Sequence, residues 1–154
     1  QVYGYDTFEG MSEPTEFDSD YMGNKAEDAM KKTPKKEGRG IWAYSTIETV
    51  INNIENFVNS PNNVKLIKGK VEETLTKKKN LPNSISLLRL DTDFYESTKI
   101  ELEVLFPLLT KGGILIIDDY GHFTGARKAV DQYFKNQKIW LKYVDYTCRL
   151  YVKG

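Results

Sequence analysis

Ile114-Leu115-Ile116-Ile117-Asp118-Asp119 is the stretch on which the fold turns. It is the most apolar strand-like run in the chain, and it opens directly onto two carboxylates. Upstream, Ile85 to Leu90 is a second, nearly continuous apolar run that ends at Asp91. Such runs suit parallel strands covered on both faces. Between them, Ile100, Val104, Leu105, Leu108 and Leu109 recur at helical spacing. Pro107 kinks or shortens that helix, and Gly112-Gly113 is expected to end it.

The same alternation extends in both directions. Val2 to Asp6 reads as a strand ending in a carboxylate. Ser45 and Glu48 have capping-box spacing, and Ile47, Val50, Ile51, Ile54, Phe57 and Val58 then fall on one helical face. Asn59-Ser60-Pro61-Asn62 stops that helix; Val64 to Ile67 is a strand, Gly69 a turn, and Val71 to Lys78 a short helix. Downstream, Thr124 is the expected cap of a helix with Ala126, Ala129, Val130, Tyr133 and Phe134 inside. Ile139 to Tyr146 and Cys148 to Val152 alternate as an antiparallel edge pair. Strands alternating with helices predict an α/β fold, a parallel sheet with helices on both faces and a C-terminal antiparallel hairpin.

Composition agrees with a single domain. The chain has 154 residues, 22 basic and 22 acidic side chains, 40% apolar and 29% charged residues. A chain of this length buries roughly two-thirds of its unfolded surface. No apolar run approaches the ~20 residues of a spanning helix. A neutral balance argues against a general nucleic-acid binder. Cys148 is the one cysteine, so no internal disulfide forms, and no leader pattern is seen, which makes a cytoplasmic location the default. Residues 9–43 lack a persistent pattern and read as a lid-like insertion, acidic first (Glu9, Glu13, Glu16, Asp18, Asp20) and basic later (Lys31, Lys32, Lys35, Lys36, Arg39). No aromatics interleave with those lysines, so a solvated surface is the plainer reading.

In open α/β sheets, ligands sit beyond the carboxyl ends of the strands. Asp6, Asp91, Asp118 and Asp119 all fall there. Clustered carboxylates repel one another unless a cation lies among them. All-oxygen donors suit a hard ion, Mg²⁺ first, with Ca²⁺ or Mn²⁺ behind. Asp91, Asp118 and Asp119 are the candidate ligands; one His and one Cys exclude a zinc set. Asp93 is expected to cap the helix starting near Glu96, and a metal-free arrangement would leave Asp118 as a cap and Asp119 solvated. His122, the single histidine, follows the paired acids on a loop and is a candidate substrate contact or proton acceptor. Tyr95 and Arg127 read as packing and a surface charge, Trp42 as lid packing and Trp140 as core packing.

Four segments carry a specific resemblance: Val2-Tyr3-Gly4-Tyr5-Asp6-Thr7-Phe8-Glu9-Gly10-Met11, Leu88-Arg89-Leu90-Asp91-Thr92-Asp93-Phe94-Tyr95-Glu96-Ser97-Thr98, Ile116-Ile117-Asp118-Asp119-Tyr120-Gly121 and Gly125-Ala126-Arg127-Lys128-Ala129-Val130-Asp131. Together they resemble the macrocin O-methyltransferase family, whose members methylate sugar hydroxyls on macrolides and related natural products. The resemblance implies a Rossmann-like class I methyltransferase sheet using S-adenosylmethionine and Mg²⁺. It implies a metal triad of Asp91, Asp118 and Asp119, with Asp91 also a general base. It implies that Asp6 holds the cofactor ribose and that Phe8, Gly69, Val71 and Glu72 lie near the adenosine. The partner it implies is a small hydroxylated, sugar-bearing substrate, with no nucleic acid or membrane; a homo-oligomer stays open.

Family members carry an earlier strand and a Gly-rich loop, so this chain, beginning at Gln1, is expected to start inside a larger fold and to lack the first strand–helix unit. In the family that strand lies between those ending at Asp6 and Asp91. Either these strands pair directly, or another chain fills the gap, or the fold is marginal. Two rival functions remain open. Asp91-Thr92-Asp93 also fits the D-x-D metal site of a glycosyltransferase, and a non-catalytic remnant domain is the other.

Overall fold

The computed structural model describes residues 1–38 and 40–154. Arg39 of the basic run lies outside the described residues. Eleven helices and strands position the site: β1 (Val2–Asp6), α1 (Ala26–Lys32), α2 (Ile47–Phe57), β2 (Val64–Lys68), α3 (Val71–Thr74), β3 (Ile85–Leu90), α4 (Tyr95–Val104), β4 (Leu109–Ile117), α5 (Thr124–Phe134), β5 (Lys142–Tyr143) and β6 (Arg149–Val152). Short 3₁₀ turns separate several of them.

The strands joined through helices pair in parallel, and the C-terminal hairpin is antiparallel. β1 runs parallel to β2, from Val2 beside Val64 to Asp6 beside Lys68. β3 runs parallel to β4, with Leu87 beside Ile114 and Leu90 beside Ile117. β6 lies antiparallel to β4 and carries β5 on its outer edge. The order is thus β1-β2 in one sheet and β3-β4-β6-β5 in another. β1 and β3 do not pair with each other.

The main core fills the side of the larger sheet covered by α4 and α5. Leu88 and Leu90 of β3 and Leu115 and Ile117 of β4 point into it, meeting Leu102, Phe106, Val130 and Phe134. Val71 and Leu75 join the same cluster and Tyr5 of β1 packs against it, which links the small sheet to the large one. A second cluster gathers Ala26 and Met30 of α1 with Phe94, Phe123 and Ala126. Ile41 and Trp42 pack against it, and the Trp42 indole donates to the Thr33 carbonyl.

Several local expectations are corrected. β3 is covered on one face only: Leu87 and Arg89 are exposed, beside an exposed Ile114. The helix after Asp91 ends at Val104, because Pro107 has no N–H to donate; Phe106–Leu108 form a 3₁₀ turn instead. Gly112 and Gly113 lie inside β4, where they exchange backbone hydrogen bonds with Lys153. Thr46, not Ser45, caps α2, accepting from the Thr49 N–H, while the Ser45 hydroxyl turns to Glu37. The apolar stripe of α2 buries no residue, and Phe57 at its end is 82% exposed. The helix expected over Val71–Lys78 stops at Thr74. Thr124 is the first helical residue rather than the cap of α5, since its hydroxyl is engaged by the Phe17 carbonyl and the Ser19 N–H. Trp140 is exposed, not core: its run pairs only over Lys142–Tyr143.

Candidate functional site

Three strand ends deliver the acids to one rim. β1 ends at Asp6, β3 opens onto Asp91, and β4 runs into Asp118 and Asp119. Register explains the closeness of Asp91 to Asp118 and Asp119: Leu90 lies beside Ile117, and the Asp118 N–H donates to the Leu90 carbonyl. A cavity of about 440 Å³ extends from Asp6 and Lys70 past Glu72 to Asp91, Asp93 and Asp119.

At the acid end, Asp91, Asp93 and Asp119 each place a carboxylate oxygen within 4.8 Å of the others. Asp93 does not cap α4. It adopts a left-handed backbone, φ +64°, which turns its carboxyl toward the cluster; Phe94 occupies the cap position. Asp118 stands outside that group of three and adjoins it through Arg89, whose guanidinium donates to Asp118 at 2.7 Å and lies 3.0 Å from Asp91. Sequence reasoning missed Asp93 as a cluster member under the favoured reading, although the D-x-D spacing displayed it. It also missed Arg89 as the counter-charge, for which alternation along β3 was the available signal.

Crowding shows in the proton affinities. Burial, then a hydrogen bond shared with Asp118, pushes Asp91 up to about 7. Burial and its hydrogen bond to Asp119 push Asp93 up to about 9. Burial also raises Asp119. For Asp118, burial is outweighed by hydrogen bonds from Asp91 and Arg89, and its pKa is lowered. Asp119 Oδ2 is buried with no hydrogen-bond partner among the described residues. An orphaned buried acceptor among close carboxylates is what a hard cation satisfies, so the donor set fits Mg²⁺.

At the other end, Asp6 Oδ1 accepts the Phe8 N–H at 2.5 Å, and the Asp6 carbonyl accepts from Gly69. Phe8 is buried with φ +53°. Gly69 has φ +135°, and a Cβ there would lie 2.9 Å from Thr74 Cγ2. Val71 and Glu72 line the cavity; one Glu72 oxygen accepts from Ser97, and the other is buried without a partner among the described residues. Phe8 and Gly69 bind Asp6 through their amides and are not part of the cavity lining. His122 also lies outside that lining. Its backbone N–H donates to the Asp119 carbonyl at 3.1 Å, and its Nδ1 is 3.3 Å from the Tyr146 hydroxyl. Tyr95 is buried as packing and Arg127 is a surface charge over Tyr120, as expected.

Parallel helix-linked strands, an antiparallel C-terminal hairpin and acids at the strand ends define a class I methyltransferase fold. Solved structures agree. The O-methyltransferase NovP superposes with a TM-score of 0.79 at 26% identity, covering 99% of this chain and 60% of its own. The calicheamicin methyltransferase CalS11 superposes at 0.68 and 21% identity over 100% of this chain and 60% of its own, a likeness of fold. The chain belongs to the macrocin-O-methyltransferase (TylF) family, which it matches over residues 1–153. It is 33% identical over 134 residues to the 8-demethyl-8-(2,3-dimethoxy-alpha-L-rhamnosyl)-tetracenomycin-C 4'-O-methyltransferase of Streptomyces olivaceus. It is 30% identical over 133 residues to the demethyldecarbamoylnovobiocin O-methyltransferase of Streptomyces niveus. Each alignment covers 86% of this chain and 46% of the relative, so the chain spans about half the length of these relatives. No helix among the described residues is long and apolar enough to cross a membrane.

Proposed function

We propose that the protein carrying this chain is an S-adenosylmethionine- and Mg²⁺-dependent O-methyltransferase acting on a sugar hydroxyl of a glycosylated natural product. The observation that carries this is one cavity with Asp6 at one end and the acid cluster at the other, in a chain of this family. Both relatives are named as O-methyltransferases, and the tetracenomycin one is named for a rhamnosyl-bearing compound, which supports the substrate class. Family membership also sets aside the glycosyltransferase reading: its D-x-D pair is here part of a larger carboxylate cluster.

Asp91, Asp118 and Asp119 are the ligands that would hold the cation, with the Asp93 carboxylate beside Asp91 and Asp119 as a further donor. Asp6 would bind the cofactor ribose, with Val71 and Glu72 beside the adenosine and the Phe8 and Gly69 amides holding Asp6 in place. When bound, the cation lowers the pKa of a ligated hydroxyl and the cofactor supplies the methyl group. The chain's own task is then orientation and proton removal. Asp91 would accept the hydroxyl proton; His122, whose ring lies against Tyr146 outside the cavity lining, is the alternative acceptor.

Calorimetric titration of S-adenosylhomocysteine, with Mg²⁺ and then with excess chelator, tests this. Saturable binding that Asp6→Ala removes is the expected result. Binding of uridine diphosphate in preference to S-adenosylhomocysteine would overturn the reading.

A further inference from the structure

Asp18 is one of five acids in the run from Glu9 to Asp20, yet it is 1% exposed. Its carboxylate is fully engaged. Oδ2 accepts the Thr15 N–H at 2.6 Å and the Thr15 hydroxyl at 2.8 Å. Oδ1 accepts the N–H of Tyr95 at 2.8 Å, across 77 residues of sequence. Tyr95 is the first residue of α4, and Phe94 before it supplies no side-chain cap. Asp18 therefore caps α4 from a distant segment, where a negative charge meets the positive end of the helix. The Asp18 carbonyl accepts from Ala26, the first residue of α1, so the same residue also starts the helix of that segment.

The fold makes room for this contact. A Cβ at position 125 would lie 1.8 Å from Asp18 Oδ1 and 3.0 Å from the Tyr95 nitrogen, so only glycine fits there. Around it, Phe17 packs edge-on against the Tyr95 ring at 4.9 Å, and the Tyr95 hydroxyl donates to Gln132 at 2.7 Å. Thr124 binds the Phe17 carbonyl and the Ser19 N–H. Tyr95 follows Asp93 by two residues, and the backbone between them is tight: Phe94 N–H donates to the Thr92 carbonyl at 2.7 Å while Asp93 holds its left-handed φ. Whatever fixes the Tyr95 amide fixes the end of the turn that presents Asp91 and Asp93.

We propose that Asp18 is the positioning residue of the Asp91–Asp93 turn, its buried carboxylate tying the segment after β1 to the first amide of α4. Its bearing on cation affinity rests on the reading of the acid cluster as a cation site. Its bearing on the turn does not.

Two measurements on this chain test it. Amide hydrogen exchange reads the turn: Asp18→Ala and Gly125→Ala should each speed exchange at Tyr95 at least tenfold. Asp18→Asn, which keeps an acceptor for that amide, should fall between them and the wild type. Mn²⁺ titration by electron paramagnetic resonance reads the cluster: affinity should fall at least tenfold in Asp18→Ala and Gly125→Ala. Leu105→Ala, which opens the main core without touching the turn, should leave Mn²⁺ affinity within twofold of wild type. If either variant unfolds, the other carries the test, since one removes the carboxylate and the other only displaces it. Unchanged Tyr95 exchange in Asp18→Ala, or an equal loss of Mn²⁺ affinity in Leu105→Ala, overturns the proposal. A wild-type chain that takes up no Mn²⁺ contradicts the cation reading, and Tyr95 exchange alone then decides the role of Asp18.

Discussion

Replacing Glu101 with glutamine should flatten the pH dependence of stability. Glu101 lies on α4 beneath the acid turn, 5% exposed, with Oε2 accepting the Thr92 hydroxyl at 2.9 Å. Burial foremost, aided by the nearby charges of Glu72 and Asp91 and opposed by the Thr92 bond, pushes it from an ordinary 4.5 up to about 8. Between these two values the native state keeps a proton that the unfolded chain has released. Raising the pH therefore favours unfolding. The contribution is fully present below about 4.5 and is lost as pH rises through about 8. Each tenfold change in proton affinity is worth about 1.4 kcal/mol, so the contribution amounts to about 5 kcal/mol, a large share of the ~5–15 kcal/mol of a typical domain. Glutamine keeps an acceptor for Thr92 and cannot titrate. Urea unfolding at pH 5, 6, 7 and 8, with chelator present, reads the effect. Wild-type stability should fall more steeply than that of Glu101→Gln, by about 4 kcal/mol over this range. Asp91 and Asp93 add slope of the same sign to both proteins, so the difference isolates Glu101. Parallel profiles for the two proteins would refute the reasoning.

Other outcomes follow from the same geometry. Arg89→Met removes the counter-charge beside Asp91 and Asp118, so Mn²⁺ affinity should rise severalfold; the pair is half-exposed, so urea unfolding should move by no more than about 1 kcal/mol. Gly121→Ala should destabilise by about 1–3 kcal/mol in urea, because its Cβ would fall 1.6 Å from the Tyr146 carbonyl and push the β5–β6 turn away. Leu115→Ala, at a fully buried position between β3 and β6, should cost about 2–5 kcal/mol by the same assay.

What the sequence displays best is whatever depends on neighbours along the chain. β1, β3 and the end of β4 follow from apolar runs that stop at carboxylates, and these place Asp6, Asp91, Asp118 and Asp119 at one rim. Contacts between distant segments are where local reading fails. Thr124 has the chemistry of a cap, but a strand of backbone 105 residues earlier engages its hydroxyl. Asp18 looks like one solvated acid among several until Gly125 and Tyr95 close around it. Asp93 looks like a cap because its left-handed backbone, which swings it into the cluster, leaves no mark in composition. The exposed stripe of α2 and the open face of β3 show the same limit: periodicity tells which face is apolar, not what lies against it.

The proposed cation site at the strand-end carboxylates is directly measurable. Mn²⁺ titration by electron paramagnetic resonance, with Mg²⁺ as competitor, tests it on the wild-type chain and on Asp91→Asn and Asp119→Asn. One Mn²⁺ should bind per chain and be displaced by Mg²⁺, with affinity at least tenfold weaker in each variant. No Mn²⁺ bound by the wild type, or equal binding by the variants, would contradict it.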